Sequence, residues 1–154
     1  MPQGNLQFIQ LNSGWNADPN VPLPRIELDS GDLLLIFRLN AFQFANFRED
    51  DLGILRFVSC TKYHLGGPND EGWYLGQCRF SKLAPAWGEF YRIQGETFGL
   101  ASPEEWKLIS HSHDRPKQHY LFYFREETFE CFADTCHIEP NPDNALIGSA
   151  ALPS

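Results

Sequence analysis

The sequence predicts a mainly β fold: an antiparallel β-sandwich or a strongly curved sheet of about seven strands, with one short helix. Aromatic residues make up 14% of the 154 residues while only one methionine is present, and large flat rings pack well on pleated sheets. Short runs of alternating apolar and polar residues are separated by turns rich in Gly, Pro, Asn and Asp. Only one segment carries a good helix-start signal. An α+β arrangement is the alternative.

The first elements belong to an irregular, proline-punctuated N-terminal segment, residues 1–25, in which only 6–11 is expected to pair as a strand. The Asp-Ser-Gly-Asp run at 29–32 is a turn signal. Beyond it, apolar residues share one side of an extended segment, which indicates a half-buried strand. These residues are Leu33, Leu35, Phe37, Leu39 and Ala41. Further strands are expected at 54–60, 73–80 and 89–93.

The helix signal is the Ser-Pro-Glu-Glu run at 102–105, which combines a capping box with proline at the first helical position. Trp106 and Ile109 lie three residues apart and are expected to dock one or two helical turns onto the sheet. Residues 139–154 are expected to form an irregular tail. Because no linker or internal repeat divides the chain, we interpret residues 1–154 as a single domain.

The clearest element is a hairpin over residues 119–134. With a turn at 125–128, three pairs share the core side: Phe124 with Phe129, Phe122 with Cys131, and Tyr120 with Ala133. The opposite side, expected to face water, pairs Tyr123 with Glu130, Leu121 with Phe132, and His119 with Asp134. A slip of one residue would exchange the two faces, so the apolar pattern specifies which residues lie inward.

The charge of the chain indicates which partners it is suited to bind, and its apolar runs and cysteines indicate where in the cell it is located. Twenty acidic against 12 basic residues give a formal net charge of −8, which repels nucleic-acid phosphates and anionic lipid headgroups but suits a basic protein partner. No signal-peptide pattern is present, and the longest apolar run, 33–37, is too short to cross a bilayer. A cytoplasmic protein is therefore expected. The four cysteines lack a zinc-site spacing and are interpreted as buried thiols.

Histidines concentrate around the start of the hairpin, where they suggest a transition-metal site; no other cofactor is expected. His111, His113 and His119, with Asp134 as the expected register partner of His119, supply the imidazole and carboxylate groups that zinc or iron binds. Such a site needs ligands that converge at about 2.0–2.3 Å, which spacing alone does not show. The structural alternative is a polar loop whose histidines cap backbone groups, with His119 and Asp134 forming a surface cross-strand pair.

A second candidate site is the Gly- and Pro-rich loop at 67–72. Its two adjacent carboxylates, with a tryptophan nearby, are suited to binding a cation or a sugar, or to acid–base chemistry. Two side chains on the expected water-facing side of the hairpin join this set. The candidate ligand-binding residues are Asn69, Asp70, Glu71, Trp73, Tyr123 and Glu130. The alternative is that Asn and Asp beside Gly and Pro form turns, because their side chains bond the local backbone.

Two stretches of the chain resemble a family of uncharacterised bacterial proteins. The first joins GPNDEG at 67–72 with WGEFY at 87–91. The second joins HSHD at 111–114 with the HYLFYF and TFEC halves of the hairpin. Together they span roughly residues 64–134, more than a third of the chain. The resemblance implies that this domain is a recurring bacterial unit, and it implies no particular reaction.

For function, the sequence favours a non-catalytic module that binds a protein or a small ligand on an aromatic and acidic surface. Trp15, Trp73 and Trp87 either contribute to that surface or close the core. The motifs GxSxG, GxGxxG and GxxxxGK[ST] are absent. One form of this hypothesis is an immunity-type or inhibitory partner of a basic protein, because opposite charges speed association.

Two other functional hypotheses remain open at this point. One is a metal-binding protein or metal-dependent enzyme that uses the histidine cluster. The other is a structural subunit whose apolar face is completed by self-association, so that both a monomer and a homodimer are compatible with the sequence. Neither nucleic acid nor membrane is expected as a partner.

Overall fold

The chain forms two open antiparallel sheets. The computed structural model describes residues 7–44, 47–66, 89–94, 106–109, 117–124 and 127–139, which form ten strands and no helix. In chain order the strands are β1 (Gln7–Gln10), β2 (Arg25–Asp29), β3 (Asp32–Arg38), β4 (Leu52–Val58), β5 (Lys62–Gly66), β6 (Phe90–Gln94), β7 (Lys107–Leu108), β8 (Gln118–Tyr123), β9 (Thr128–Ala133) and β10 (Thr135–Ile138). The six-stranded sheet has the order β1-β6-β8-β9-β5-β7, and the four-stranded sheet has the order β10-β4-β3-β2. The predicted mainly β class, an antiparallel sandwich, is confirmed.

The hairpin of β2 and β3 shows why the predicted turn at 29–32 forms. Ser30 and Gly31 both have positive φ angles, 52° and 92°, as the two central residues of a type I′ turn require. Glycine adopts this backbone region without steric cost. Asp29 and Asp32 are opposite one another at the ends of the strands, so the turn is confirmed.

The core lies between the two sheets and consists mainly of aromatic rings. The ring centroid of Phe122 in β8 lies 5.2 Å from that of Phe37 in β3. The centroids of Phe57 in β4 and Tyr120 in β8 are also 5.2 Å apart. The buried Trp15 ring contacts both sheets, with centroids 5.8 Å from Phe37 and 6.3 Å from Phe122. Of the two roles considered for Trp15, the structure therefore shows the core role.

Two strands pass from one sheet to the other at a shared corner. β4 continues into β5 through residues 59–61, and β9 continues into β10 through Asp134. Between the aligned pairs on either side of the corner, three residues of the first segment (59–61) are opposite two of the second (133–134). One extra residue is a β-bulge, which bends the ladder. The Asp134 N–H donates to the Val58 carbonyl at 2.8 Å, so the two strands stay paired around the bend.

The β8–β9 hairpin has the predicted core face but different partners. Its core side carries Tyr120, Phe122, Phe124, Phe129, Cys131 and Ala133, as predicted. Phe122, however, is opposite Phe129, and Tyr120 is opposite Cys131, two residues from the predicted register. The connection is shorter than predicted, since the Phe124 N–H donates to the Glu127 carbonyl at 2.8 Å. A shift of two residues leaves every side chain on its own face, so apolar alternation alone does not detect it.

The prediction that the other side of this hairpin faces water is wrong. His119, Leu121 and Tyr123 of β8 are buried, and so is Glu130 of β9. Leu121 is opposite Glu130, and His119 is opposite Phe132. The alternation of side chains along a strand identifies which residues share a face, but it does not show whether other parts of the protein cover that face.

The other predicted elements are confirmed only in part. β1, β4 and β6 overlap the ranges predicted for them, with ends that differ by one or two residues. The predicted helical turns are wrong over 106–109, because Lys107–Leu108 pairs with β5 as a strand. β2, β5 and β10 are strands that the sequence does not predict. Three predicted segments lie outside the described residues: the strand at 73–80, the capping box at 102–105, and the tail at 139–154 beyond its first residue.

Candidate functional site

The outer face of the six-stranded sheet holds a buried imidazole–carboxylate pair. Nε2 of His119 lies 2.8 Å from Oε1 of Glu130. The imidazole stacks on the Phe132 ring, with ring centroids 4.4 Å apart. An imidazole held by a carboxylate is also the arrangement of a general-base pair. Because both side chains are buried, with exposures of 8% and 1%, we interpret this pair as a structural one.

Phe132 continues this row of side chains towards the edge of the sheet. Nζ of Lys62 lies 5.0 Å from the centroid of the Phe132 ring and 4.7 Å from that of the Trp106 ring. The Trp106 and Phe132 centroids are 5.5 Å apart. A cation that lies close to two aromatic rings is attracted to both. The row therefore ties β8, β9 and β5 to the residue that precedes β7.

The predicted ligand-binding set falls partly on this face. Tyr123 and Glu130 lie on the same outer face of β8 and β9, and both are buried. Four further members of the set lie outside the described residues: Asn69, Asp70, Glu71 and Trp73. The ligand-binding role of the set stays a prediction.

Two of the four predicted metal ligands each contact another side chain. His119 contacts Glu130, whereas Oδ1 of Asp134 lies 2.8 Å from Nζ of Lys117. His111 and His113 lie outside the described residues. Within the described ranges, no group of three or more His, Cys, Asp or Glu side chains is arranged to hold a metal ion. The metal site stays a prediction for the chain as a whole.

The thiols near the corner between the sheets are structural. Cys60 and Cys131 are fully buried and Cys136 is partly buried, and all three are free. Burial raises the pKa of the Cys131 thiol, and the neighbouring Cys60 raises it further. Burial likewise raises the pKa of the Cys136 thiol. The thiolate is the form that attacks electrophiles and binds metals, so Cys131 and Cys136 act as small apolar side chains.

A polar cluster at one end of the sandwich has no signal in the sequence. Nδ2 of Asn12 and Nδ2 of Asn16 donate to the Glu89 carboxylate at 3.0 Å and 3.3 Å. Oε1 of Gln43 accepts from Asn16 at 3.2 Å and from Asn40 at 3.4 Å. These bonds join the loop after β1, the loop after β3 and the residue before β6. Amides that are far apart in sequence converge only once the fold is formed.

The outer face of the four-stranded sheet is a different kind of surface. Its middle is an apolar strip in which Ile36 is buried and the other side chains are half-buried: Leu34, Ile36, Leu52, Ile54 and Val58. Charged and ionisable side chains border this strip: Arg25, Glu27, Asp29, Asp32, Arg38, His137 and Glu139. Arg56 lies within the strip, between Ile54 and Val58 on β4 and opposite Leu34. An apolar centre with a polar rim is the usual anatomy of a protein–protein interface.

Arg56 is the centre of an ion-pair network on this face. Its Nη1 lies 2.8 Å from Oδ2 of Asp32, and its Nη2 lies 3.0 Å from Oδ2 of Asp29. Its Nε donates to the Glu139 carboxylate. These three carboxylates raise the pKa of the Arg56 guanidinium above its ordinary value. The Arg56 guanidinium therefore forms ion pairs with three carboxylates, so these four side chains together carry a net negative charge.

Asp32 is the member of the network that is fixed most firmly. Its Oδ1 accepts the Ser59 N–H at 2.9 Å, while its Oδ2 accepts from Arg56. Burial by itself raises the pKa of this carboxyl, but the bonds from Ser59 and Arg56, with the Arg56 charge, outweigh burial and lower it below its ordinary value of 3.8. Asp29 and Glu27 differ from Asp32 in exposure. Both side chains are 55% exposed and offer carboxylate oxygens to a partner.

Among the described residues, negative charge is concentrated on the half of the molecule that contains the four-stranded sheet. That sheet and its loops carry eight carboxylates (Asp18, Glu27, Asp29, Asp32, Glu49, Asp50, Asp51 and Glu139) against four arginines (Arg25, Arg38, Arg48 and Arg56). The described part of the six-stranded sheet and its flanking residues carries four acids (Glu89, Glu127, Glu130 and Asp134) against four bases (Lys62, Arg92, Lys107 and Lys117). Among the described residues, the excess of carboxylates therefore lies on the four-stranded sheet and its loops.

Comparison with known proteins adds no identification. No protein-family model, curated protein or solved structure matches this chain. The resemblance of residues 64–134 to a bacterial family stays a prediction that rests on the quoted motifs. Within the described ranges, no helix has the length and apolar character needed to cross a membrane.

Proposed function

We propose that this chain is a cytoplasmic, non-catalytic binding module that docks a basic protein partner on the outer face of its four-stranded sheet. The observation that carries the proposal is the apolar strip of that face, which is bordered by a rim with an excess of carboxylates. An interface of this type obtains affinity from its apolar centre and selects its partner by the charge of its rim.

The shared guanidinium supports a basic partner rather than an acidic one. Arg56 has its donors directed to Asp29, Asp32 and Glu139, so it offers little to an incoming carboxylate. Asp29 and Glu27 remain more than half exposed. A lysine or arginine of a partner can bind these oxygens without displacing Arg56.

The reactive groups of the described residues support a non-catalytic role. The His119–Glu130 pair is buried, and the thiols of Cys131 and Cys136 are held in the protonated form by burial. The free thiols also fit a reducing compartment, which supports a cytoplasmic location.

A titration with a short peptide in which lysine alternates with leucine tests the proposal. We expect backbone amide shifts in NMR spectra to concentrate on β2, β3, β4 and β10, with much smaller shifts on β6 and β8. Binding should weaken as salt rises from about 0.05 M to about 0.5 M, because the screening length then falls to a few ångströms. The double variant Glu27→Gln/Asp29→Asn should bind about fivefold more weakly, since two rim charges are lost.

The matched control alters net charge on the other sheet. Gln94→Lys changes an exposed residue of β6 and makes the net charge one unit less negative. It should leave the affinity for the peptide within about twofold of the original protein. Shifts centred on the six-stranded sheet, or equal weakening by Gln94→Lys and the double variant, would contradict the proposal.

A more specific form of the proposal is an inhibitory or immunity-type partner of a basic toxin. Opposite net charges speed the encounter of such pairs. We expect genes for this protein and its close relatives to lie beside a gene for a basic, toxin-like protein. Consistent absence of such a neighbour would argue against this form while leaving the docking surface open to test by titration.

A further inference from the structure

β2 lies at the edge of the four-stranded sheet and is mostly exposed. It pairs with β3 on one side, and within the described ranges no strand pairs with its other side. Unpaired edges expose rows of N–H and C=O groups, and proteins usually protect them with lysine, proline or a covering segment. Lysine and proline are absent from the five residues of β2, Arg25–Asp29, and Pro24 lies directly before them.

Exposed apolar side chains accumulate along this edge. Five large apolar residues in the described ranges are strongly exposed: Val21, Leu23, Leu28, Phe42 and Leu108. Three of them, Val21, Leu23 and Leu28, lie in β2 or just before it, with exposures of 45%, 56% and 57%. Leu28 is opposite the core residue Leu33, so its side chain lies on the core side of the sheet but extends past its edge. Exposed apolar side chains grouped in this way indicate a contact surface.

The free backbone groups of β2 can be identified from the register. Asp29 and Asp32 close the two-residue turn and are a hydrogen-bonded pair. Bonded and non-bonded pairs alternate along an antiparallel ladder. The N–H and C=O groups of Ile26 and Leu28 therefore point away from β3, towards the free edge.

The sequence of β2 is complementary to a second copy of itself. In an antiparallel pair of β2 strands centred on Glu27, Arg25 of each copy is opposite Asp29 of the other, and Ile26 is opposite Leu28. Each Ile26–Leu28 pair then exchanges two backbone hydrogen bonds, since both residues have free groups on this edge. Opposite charges and apolar pairs across strands are stabilising. The two Glu27 carboxylates meet at the centre, and each has Arg25 of its own strand at 3.6 Å.

We propose that two copies of this chain associate through β2, so that two four-stranded sheets become one continuous sheet across a two-fold axis. The pairing covers Leu28 with Ile26 of the second copy and extends the core across the seam. This inference goes beyond the docking of a basic partner and does not depend on it. In the dimer, Glu27 and Asp29 of the docking rim lie at the seam, while Asp32, Arg56 and Glu139 belong to strands or segments other than β2.

Sedimentation of the full chain over a concentration series tests the association. We expect the mass to rise from 17.7 kDa towards twice that value as concentration increases. Leu28→Lys adds the kind of charge that blocks sheet edges, and it should weaken the dimer at least about tenfold. The matched control is Leu108→Lys, which alters a leucine of similar exposure, 62%, on the edge strand of the other sheet. The control should leave the dimer constant unchanged within about twofold.

Charge exchange across the seam tests the register. Arg25→Asp alone places two aspartates opposite one another and should weaken the dimer. Asp29→Arg alone should do the same with two arginines, while Arg56 stays held by Asp32 and Glu139. The double variant Arg25→Asp/Asp29→Arg restores opposite charges and should recover most of the lost affinity. Far-ultraviolet circular dichroism of each variant shows whether it is folded.

Three results would overturn the inference. The first is an original protein that stays monomeric up to its solubility limit. The second is a dimer that Leu28→Lys leaves unchanged or that Leu108→Lys weakens equally. The third is a folded double variant that associates no better than the two single variants. The two proposals can fail separately. If the protein dimerises through β2 but does not bind the basic peptide, this inference is upheld and the proposed function is refuted.

Discussion

The outer faces of the two sheets differ in how far their carboxylates are exposed to water. On the six-stranded sheet, the Glu130 carboxylate is 1% exposed and bonded to His119. On the four-stranded sheet, Glu27 and Asp29 are 55% exposed at the border of an apolar strip. A buried carboxylate must keep its partner because no water replaces it, whereas an exposed one exchanges its partner at little cost. The first face is therefore suited to stability and the second to binding.

The largest expected difference between the faces is in stability. Glu130→Ala removes one member of a buried pair and deprives the His119 imidazole of its carboxylate, so we expect a loss of about 3 kcal/mol in the free energy of unfolding. Glu27→Ala, the same substitution on the exposed face, should change it by less than about 0.5 kcal/mol. Urea denaturation at neutral pH measures both. Equal losses for the two variants would remove the distinction between the faces.

An intermediate effect is expected at the centre of the exposed network. Arg56→Met leaves Asp32 without its cation and should reduce the free energy of unfolding by about 1–2 kcal/mol at pH 7. The folded state lowers the pKa of Asp32 below 3.8, so its contribution is fully present above 3.8 and is lost as pH falls through the folded pKa. The difference between the original protein and Arg56→Met should therefore shrink below about pH 4. Urea denaturation at pH 7 and pH 3 checks the sign, and a difference that grows in acid would contradict the network.

The smallest expected difference in the free energy of unfolding is between variants of Asp32 and Asp29, which both bind the Arg56 guanidinium. Asp32→Asn weakens bonds from both Ser59 and Arg56 and should cost about 1 kcal/mol in unfolding free energy. Asp29→Asn affects a side chain that is 55% exposed, so less than about 0.5 kcal/mol is expected. Denaturation of both variants under one condition gives the comparison. A larger loss for Asp29→Asn would show that the edge strand depends on this contact.

The β8–β9 hairpin shows how far alternation predicts a fold and where it stops. Phe122 and Phe129 lie inward as predicted, since a period of two assigns every residue of a strand to one of two faces. The partners differ by two residues because the turn is shorter than predicted, and a shift of two changes no face. His119 and Glu130 are buried contrary to prediction, because burial of a second face depends on the rest of the fold.

Local chemistry in the sequence was sufficient for features that involve neighbouring residues. The turn at Ser30 and Gly31 forms because Gly31 adopts positive φ without steric cost. The period of two along each strand places the rings of Phe37 in β3, and of Tyr120 and Phe122 in β8, on one face of their strand. The same locality makes the self-complementary charge pattern of β2 visible in five consecutive residues.

Only the tertiary structure decided which distant groups meet. Arg56 binds Asp29, Asp32 and Glu139, and these four residues come from β4, β2, β3 and the segment after β10. Their convergence depends on the strand order and on the bulge that carries β4 and β10 around the corner together. Such contacts have no periodic signature, because each is set by sheet topology rather than by the spacing of residues along the chain.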